Sequence, residues 1–130
     1  VIYGIGIDIT DIARIEKAWK EHQGFIEKVL TPKEHKDFDR LGQRRKNEFL
    51  AGRFSAKESY SKALGTGIGK HAGFHEIEIL NNEETGKPEL TMHPADCLIG
   101  HVSISHTAEL VMTEVILEYR SDTREDADNG

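Results

Sequence analysis

Three residues at defined spacings carry the first chemical signal in this 130-residue chain: Asp8, Glu58 and Lys62. Asp8 follows the alternation Gly4-Ile5-Gly6-Ile7, so it reads as a carboxylate on a strand whose own face is cleared by two glycines. Such a face admits close approach of a ligand. The alternative is a polar helix entrance shared with Thr10. Glu58 and Lys62 stand four residues apart on a long helical stretch. On spacing alone this is the Glu-before-Lys order of a surface ion pair worth ~0.3–0.5 kcal/mol.

The same helix holds two further cations. At about 100° per residue, Phe49, Leu50, Phe54, Tyr60 and Leu64 form an apolar stripe, and Arg53 and Lys57 fall inside it. A buried charge without a partner is very costly. Either the stems pack while the heads reach the rim, or the stripe faces a subunit interface or an anion site. His101 and His106 flank the strand-like VSIS, and His106-Thr107 at its end can supply donors to a phosphate. A structural role for the histidine is the plainer alternative. Gly65, Gly67 and Gly69 lack the GxxxxGK[ST] pattern and read as a helix stop and flexible turn. None of the seven histidines has zinc spacing with the single Cys97, and HExxH, GxSxG and nucleophilic-cysteine patterns are missing.

These residues need elements to position them. Residues 2–9 alternate as a strand with one apolar face, Ile5, Ile7 and Ile9. Thr10 and Asp11 start a helix that runs to about His22, and Gly24 breaks the chain before a short segment, 25–30. Thr31-Pro32-Lys33-Glu34 is a capping box with proline in the first helical position. The longest helix is predicted over 43–64, stopped by Gly65. Strand signals follow in HEIEIL, in ELTMH after a turn around 81–88, in HVSISH and in residues 110–119. Helices first and antiparallel strands later, with one strand leading, predict an α+β domain: a long helix packed on a small antiparallel sheet. Residues 1–120 form the domain and 121–130 an acidic, disordered tail.

Composition sets the bounds. At 130 residues and 37% hydrophobic side chains, one core is expected. One cysteine permits no intrachain disulfide and fits a reducing compartment. No apolar run approaches the ~18–20 residues of a membrane span. The first residues carry no basic n-region or cleavage-site pattern, so the expected location is cytoplasmic, away from membranes. The net charge of −6 is uneven: residues 1–70 hold 14 basic against 10 acidic residues, and residues 71–130 hold 3 against 13. Such a chain is poorly suited to nucleic acid, while its basic first half can attract an anionic ligand or an acidic protein.

Taken together, GIGIDITDIARI at 4–15, RRKNEFLAGRFSAKES at 44–59, KALGTGIG at 62–69, GKPEL at 86–90 and HVSISHT at 101–107 resemble the bacterial holo-acyl-carrier-protein synthases, the small class of 4′-phosphopantetheinyl transferases. Gly6-Ile7-Asp8 and Phe54-Ser55-Ala56-Lys57-Glu58-Ser59 meet the two-motif core of that superfamily. The resemblance spans nearly all of residues 3–118. It implies transfer of 4′-phosphopantetheine from coenzyme A to a serine hydroxyl of apo acyl carrier protein, releasing adenosine 3′,5′-bisphosphate, in fatty acid biosynthesis. It further implies homotrimers with active sites shared between subunits.

By this resemblance Asp8 and Glu58 are ligands of Mg²⁺, with Mn²⁺ as an alternative, and Lys62 joins them as a catalytic residue that meets the pyrophosphate. Arg53, Lys62, Gly65, Lys87, His106 and Thr107 are the expected coenzyme A contacts. Lys57 is expected to organise the carboxylates, or to find a partner on a neighbouring subunit. The carrier is small and acidic, so Arg14, Lys28, Arg44 and Arg45 are its expected charged contacts, with Phe25 and Phe54 as apolar anchors. Gly24 departs from the basic residue that many members carry there. Two other readings remain: a magnesium-dependent nucleotide hydrolase using the same carboxylates, and a non-catalytic oligomeric binding module.

Overall fold

The chain opens with β1 (Ile2–Asp11), continues through α1 (Ile12–Glu21), α2 (Phe25–Val29), α3 (Pro32–Asp39) and α4 (Gln43–Leu64), and closes with β2 (Glu78–Asn81), β3 (Pro88–Met92), β4 (Leu98–His106) and β5 (Leu110–Tyr119). The structure is a computed structural model that describes residues 1–69 and 72–121. Apart from Ser121, the expected acidic tail lies outside the described residues. Strands β1, β5 and β4 form one antiparallel sheet in that order, and β2 pairs with β3 in a second. This is the α+β arrangement expected from the sequence, with the strands divided between two sheets.

Local chemistry explains the helix ends. The Asp11 side chain accepts from Ala13 N at 3.0 Å and starts α1. Thr31 and Glu34 form the capping box of α3, with Pro32 in its first turn. The 22-residue α4, about 33 Å long at 1.5 Å per residue, ends at Gly65, whose φ of 94° satisfies a left-handed cap. One expectation shifts: His75 and Glu76 are not in a strand. Gly73 N donates to the Glu76 side chain at 3.0 Å, holding Phe74–Glu76 as a 3-10 turn, so β2 begins only at Glu78. A local side-chain bond there replaces the ladder.

The alternation of β1 is present, but its apolar side faces outward. Ile5, Ile7 and Ile9 are 53%, 52% and 62% exposed. The inner side carries Gly4 and Gly6, where an added Cβ would lie 2.0 Å from Ala63 O and 1.9 Å from Ser59 O. Strand and helix therefore meet backbone to backbone, and no isoleucine fits between them. The face of α4 opposite the expected stripe is covered as well. Ser55 and Ser59 are buried against Thr113 of β5, with hydroxyl contacts of 2.9 and 2.7 Å.

The core lies on both sides of α4. Ala56 and Tyr60 pack with Ile77, just before β2, and with Ile79, Leu98, Val102, Val115 and Leu117 from the sheets. Nearer the start of the helix, Leu50 and Ala51 pack with Ile12, Ile15, Val29, Leu30, Phe38 and Val111. Leu50 and Tyr60 of the stripe are fully buried, whereas Phe49, Phe54 and Leu64 are half-buried at its edges. Among the described residues, no helix is long and apolar enough to cross a membrane.

Candidate active site

The glycine face of β1 sets Asp8 beside α4. Asp8 pairs across the sheet with Thr113, which the serines of α4 hold. Its Oδ2 accepts from Thr10 Oγ1 at 2.7 Å and its Oδ1 from Lys62 Nζ at 3.0 Å. The same ammonium donates to Ile7 O at 3.0 Å. Lys62 therefore bridges the strand–helix seam. Among the described residues its ion pair is with Asp8 rather than with Glu58, so the simple i,i+4 surface pair is not what forms.

Glu58 sits one turn before Lys62 and is half-buried. Burial raises its carboxyl above the usual range, and the charge of Asp8 raises it further, against the opposing pull of Lys62 and Arg14. Two carboxylates that share a field in this way are stabilised together by a cation. Among the described residues, no group of three or more His, Cys, Asp or Glu side chains could hold a metal. Two oxygen-donor residues suit a hard divalent ion that completes its shell with phosphate oxygens and water, and do not suit zinc.

A cleft of about 810 Å³ opens between α3, the first half of α4, the β2–β3 turn and the end of β4. Arg53, Arg45, Lys36, Asn81 and His106 are among its lining residues. Arg53 is buried, its guanidinium 4.3 Å from the centre of the Phe49 ring, and one Nη donates to Asn81 at 3.2 Å. Its Nε is buried with no hydrogen-bond partner. An unpaired donor inside a basic cleft is suited to an anion. This favours the anion-site reading of Arg53 over a head extended to the rim.

The other expected contacts are dispersed. Thr107 shapes the β4–β5 turn, its Oγ1 accepting from Glu109 N and Leu110 N at 3.2 and 3.0 Å. Lys87 lines a separate groove with Leu90 and His101 between β3 and β4. Gly65 caps α4, and Asp8, Glu58 and Lys62 line no part of the Arg53 cleft. Within one chain Asp8, Glu58 and Lys62 thus form one group, Arg53 and His106 share the cleft, and Gly65, Lys87 and Thr107 lie outside that cleft.

The expected carrier contacts are also distributed. Arg14 is exposed and close enough to lower the Glu58 carboxyl. Lys28 is exposed on α2, Arg44 is exposed with a 3.8 Å contact to Glu48, and Arg45 faces the Arg53 cleft. Phe25 and Phe54 stack at 6.2 Å, and Phe54 stacks on Phe74 at 5.5 Å. Phe74 completes this array, and spacing alone gave no signal for it. The bond from Thr10 to Asp8 fits the alternative read for that carboxylate, a polar group shared with Thr10 at the entrance to α1.

Lys57 corrects an expectation. Its ammonium makes no hydrogen bond to Asp8 or Glu58 and needs no neighbouring subunit. It donates to Glu34 at 2.6 Å, Val29 O at 2.7 Å and Phe74 O at 3.0 Å. Lys57 and Glu34 form a fully buried ion pair within the chain. The 100° step between consecutive helical residues turns Lys57 towards α2 and α3 and Glu58 towards β1.

Known proteins resemble this chain over most of its length. Residues 4–113 match the model of the 4′-phosphopantetheinyl transferase superfamily. The holo-[acyl-carrier-protein] synthase of Lacticaseibacillus casei (strain BL23) is 56% identical over 126 residues, covering 97% of this chain and 99% of that protein. The structure of a holo-(acyl-carrier-protein) synthase from Bacillus anthracis in complex with CoA (3′,5′-ADP) superposes with a TM-score of 0.84 at 46% identity, over 92% of this chain and 98% of that one. The Helicobacter pylori holo-[acyl-carrier-protein] synthase in complex with coenzyme A gives 0.77 at 35% identity, over 88% and 99%. The chain belongs to the 4′-phosphopantetheinyl transferase superfamily and, within it, to the holo-[acyl-carrier-protein] synthases.

Proposed function

We propose that the protein transfers 4′-phosphopantetheine from coenzyme A to a serine hydroxyl of an apo acyl carrier protein, releasing adenosine 3′,5′-bisphosphate, in a Mg²⁺-dependent reaction of fatty acid biosynthesis. The observation that carries this reading is the meeting of Asp8, Glu58 and Lys62 across the β1–α4 seam. Asp8 and Glu58 would hold the cation, Mg²⁺ or Mn²⁺, which when bound offsets the charge on the pyrophosphate. Lys62, which hydrogen-bonds Asp8, would meet the same phosphates. In the transfer, the serine oxygen forms a bond to the phosphorus that bears the pantetheine arm. The bond from that phosphorus to the bridging oxygen breaks, and the bisphosphate leaves. The serine proton passes to a base: Glu58 itself, or a water that Glu58 holds.

Arg53, with its unpaired Nε, and His106 in the same cleft are assigned to the 3′-phosphate and adenylate end of coenzyme A, with Lys87, Thr107 and Gly65 as further contacts. The dispersal of these residues, and their distance in the fold from Asp8 and Glu58, supports a site completed by another subunit. The outward Ile5, Ile7, Ile9 and Met112 give an apolar face for such an assembly, and we assign it as a homotrimer. Arg14, Lys28, Arg44, Arg45, Phe25 and Phe54 are assigned to the acidic carrier. The functional domain is residues 1–120, with 121–130 as an appended acidic tail, and the setting is cytoplasmic. The test is incubation with coenzyme A, Mg²⁺ and apo carrier, followed by intact mass measurement. The carrier serine is expected to gain one phosphopantetheine; an unmodified carrier at saturating coenzyme A refutes the reading.

A further inference from the structure

The geometry points to Lys57, paired with Glu34, as the positioning residue for the carrier-docking surface, acting through α2 and Phe74 rather than through the metal ligands. All three ammonium donors are used on one side of α4. One goes to the carbonyl of Val29, the last residue of α2; one to Glu34 in the first turn of α3; one to the carbonyl of Phe74. Glu34 extends the tie, its Oε1 accepting from Thr31 N and its Oε2 from Ile79 N, both at 2.8 Å. A single buried charge pair thus fastens α2, α3, the Phe74 turn and β2 to the helix that carries Glu58.

Helix α2 depends on such a fastening. It has five residues, enters through Gly24 at φ 93°, and has no side-chain cap. A helix this short has no independent stability. It presents Phe25 and Lys28, and Phe25 stacks on Phe54, which stacks on Phe74. Lys57 therefore holds Phe74 by its carbonyl and, at Val29 O, the far end of the helix that carries Phe25. Its neighbour Glu58 belongs to the Asp8–Lys62 group, with which Lys57 shares no hydrogen bond. The motif Lys57-Glu58 would then serve two substrates: Glu58 the phosphoryl centre, and Lys57 the placement of the incoming serine's protein.

This inference rests on the assignment of Phe25 and Lys28 to the carrier. The experiment compares the wild type with Lys57→Met/Glu34→Gln, Phe74→Ala, Phe25→Ala and Lys28→Glu. Each is tested for kcat, for KM of apo carrier and of coenzyme A, and for Mg²⁺ half-saturation. The double substitution avoids leaving one buried charge unpaired, and the side-chain amide that Glu34→Gln introduces can still serve the capping box. The carrier KM is expected to rise roughly tenfold or more in the double variant and in Phe74→Ala, with a clearly smaller rise in coenzyme A KM and Mg²⁺ half-saturation within about twofold of wild type. A purely structural role would move all of these together. A folded double variant with a normal carrier KM, or one whose coenzyme A KM rises equally, overturns the inference. Should the double variant not fold, Lys57→Gln/Glu34→Gln, which also leaves no buried charge unpaired and keeps polar side chains at both positions, is read by the same criteria. If Phe25→Ala and Lys28→Glu raise the carrier KM while the Lys57/Glu34 and Phe74 variants do not, this inference alone fails. If Phe25→Ala and Lys28→Glu also leave it unchanged, the carrier assignment fails and takes the inference with it.

Discussion

A Cβ on Gly6 would sit 1.9 Å from the carbonyl oxygen of Ser59. Gly6 is two residues before Asp8 and Ser59 is one residue after Glu58, so this backbone contact sets the spacing of the two carboxylates. Gly6→Ala must push β1 away from α4. Overpacking of this kind costs about 1–3 kcal/mol or more, which corresponds to a melting temperature lowered by roughly 5–15 °C. Displacement of reacting groups by about 1 Å costs on the order of 100-fold in rate. Thermal denaturation and steady-state kinetics on the purified variant check both effects, and kcat/KM is expected to fall further than the stability loss explains.

Asp8→Asn and Glu58→Gln are each expected to remove most turnover, by roughly 100-fold or more, while the fold is retained. Both side chains lie at the strand–helix seam outside the apolar clusters. Circular dichroism tests the fold, and a Mg²⁺ titration tests the role. Near-normal turnover of either variant at saturating Mg²⁺ contradicts the metal assignment.

The raised Glu58 carboxyl also predicts a pH-dependent stability difference. Burial and Asp8 lift the folded-state value above that of the unfolded chain. Below both values the group is protonated in both states and contributes nothing; above them, ionisation destabilises the folded state. In metal-free buffer, Glu58→Gln is therefore expected to unfold at a higher urea concentration than wild type near pH 7, and the gap is expected to close as the pH falls towards about 4. Urea midpoints at a series of pH values measure this. A constant gap would mean that the substitution acts through packing.

How much of this was legible in the sequence follows from the range of each signal. The capping box at Thr31–Glu34 and the stop at Gly65 are local, and the structure places both as read, whereas β1 runs two residues further than its alternation, to Asp11, which caps α1. The orientation of β1 was not legible. Its alternation gives two faces, but only the approach of Ser59 and Ala63 decides which one is inside. The partner of Lys57 was not legible for the same reason. Its spacing put it in the buried stripe, where it lies, but could not name its partner, because Glu34 is on another helix 23 residues earlier. Asp8 and Glu58 were found through motif resemblance, and their juxtaposition depends on the Gly6–Ser59 contact between distant segments.

A basic surface meeting an acidic carrier predicts strong salt dependence. Arg14→Glu and the pair Arg44→Glu/Arg45→Glu are expected to raise the carrier KM several-fold. Coenzyme A KM should change little for Arg14→Glu. The structure separates the paired positions: Arg45 faces the Arg53 cleft and Arg44 does not. Arg45→Glu alone should therefore also weaken coenzyme A, and Arg44→Glu should not. A carrier KM independent of ionic strength contradicts the docking assignment.

His106 lines the cleft beside Arg53 and is exposed. A hydrogen bond to a charged phosphate is worth about 1.5–3 kcal/mol, so His106→Ala should lower kcat/KM for coenzyme A roughly 10- to 150-fold. Dephospho-coenzyme A, which lacks the 3′-phosphate, should be affected much less. Equal losses on both substrates would place His106 in the scaffold.

The most direct test of the account is nucleotide release from coenzyme A, measured at saturating Mg²⁺ with and without apo carrier. The account predicts one adenosine 3′,5′-bisphosphate for each carrier serine modified, and none when the carrier is omitted. Release at an undiminished rate without the carrier would make the Asp8–Glu58 site a hydrolase and contradict the transferase reading.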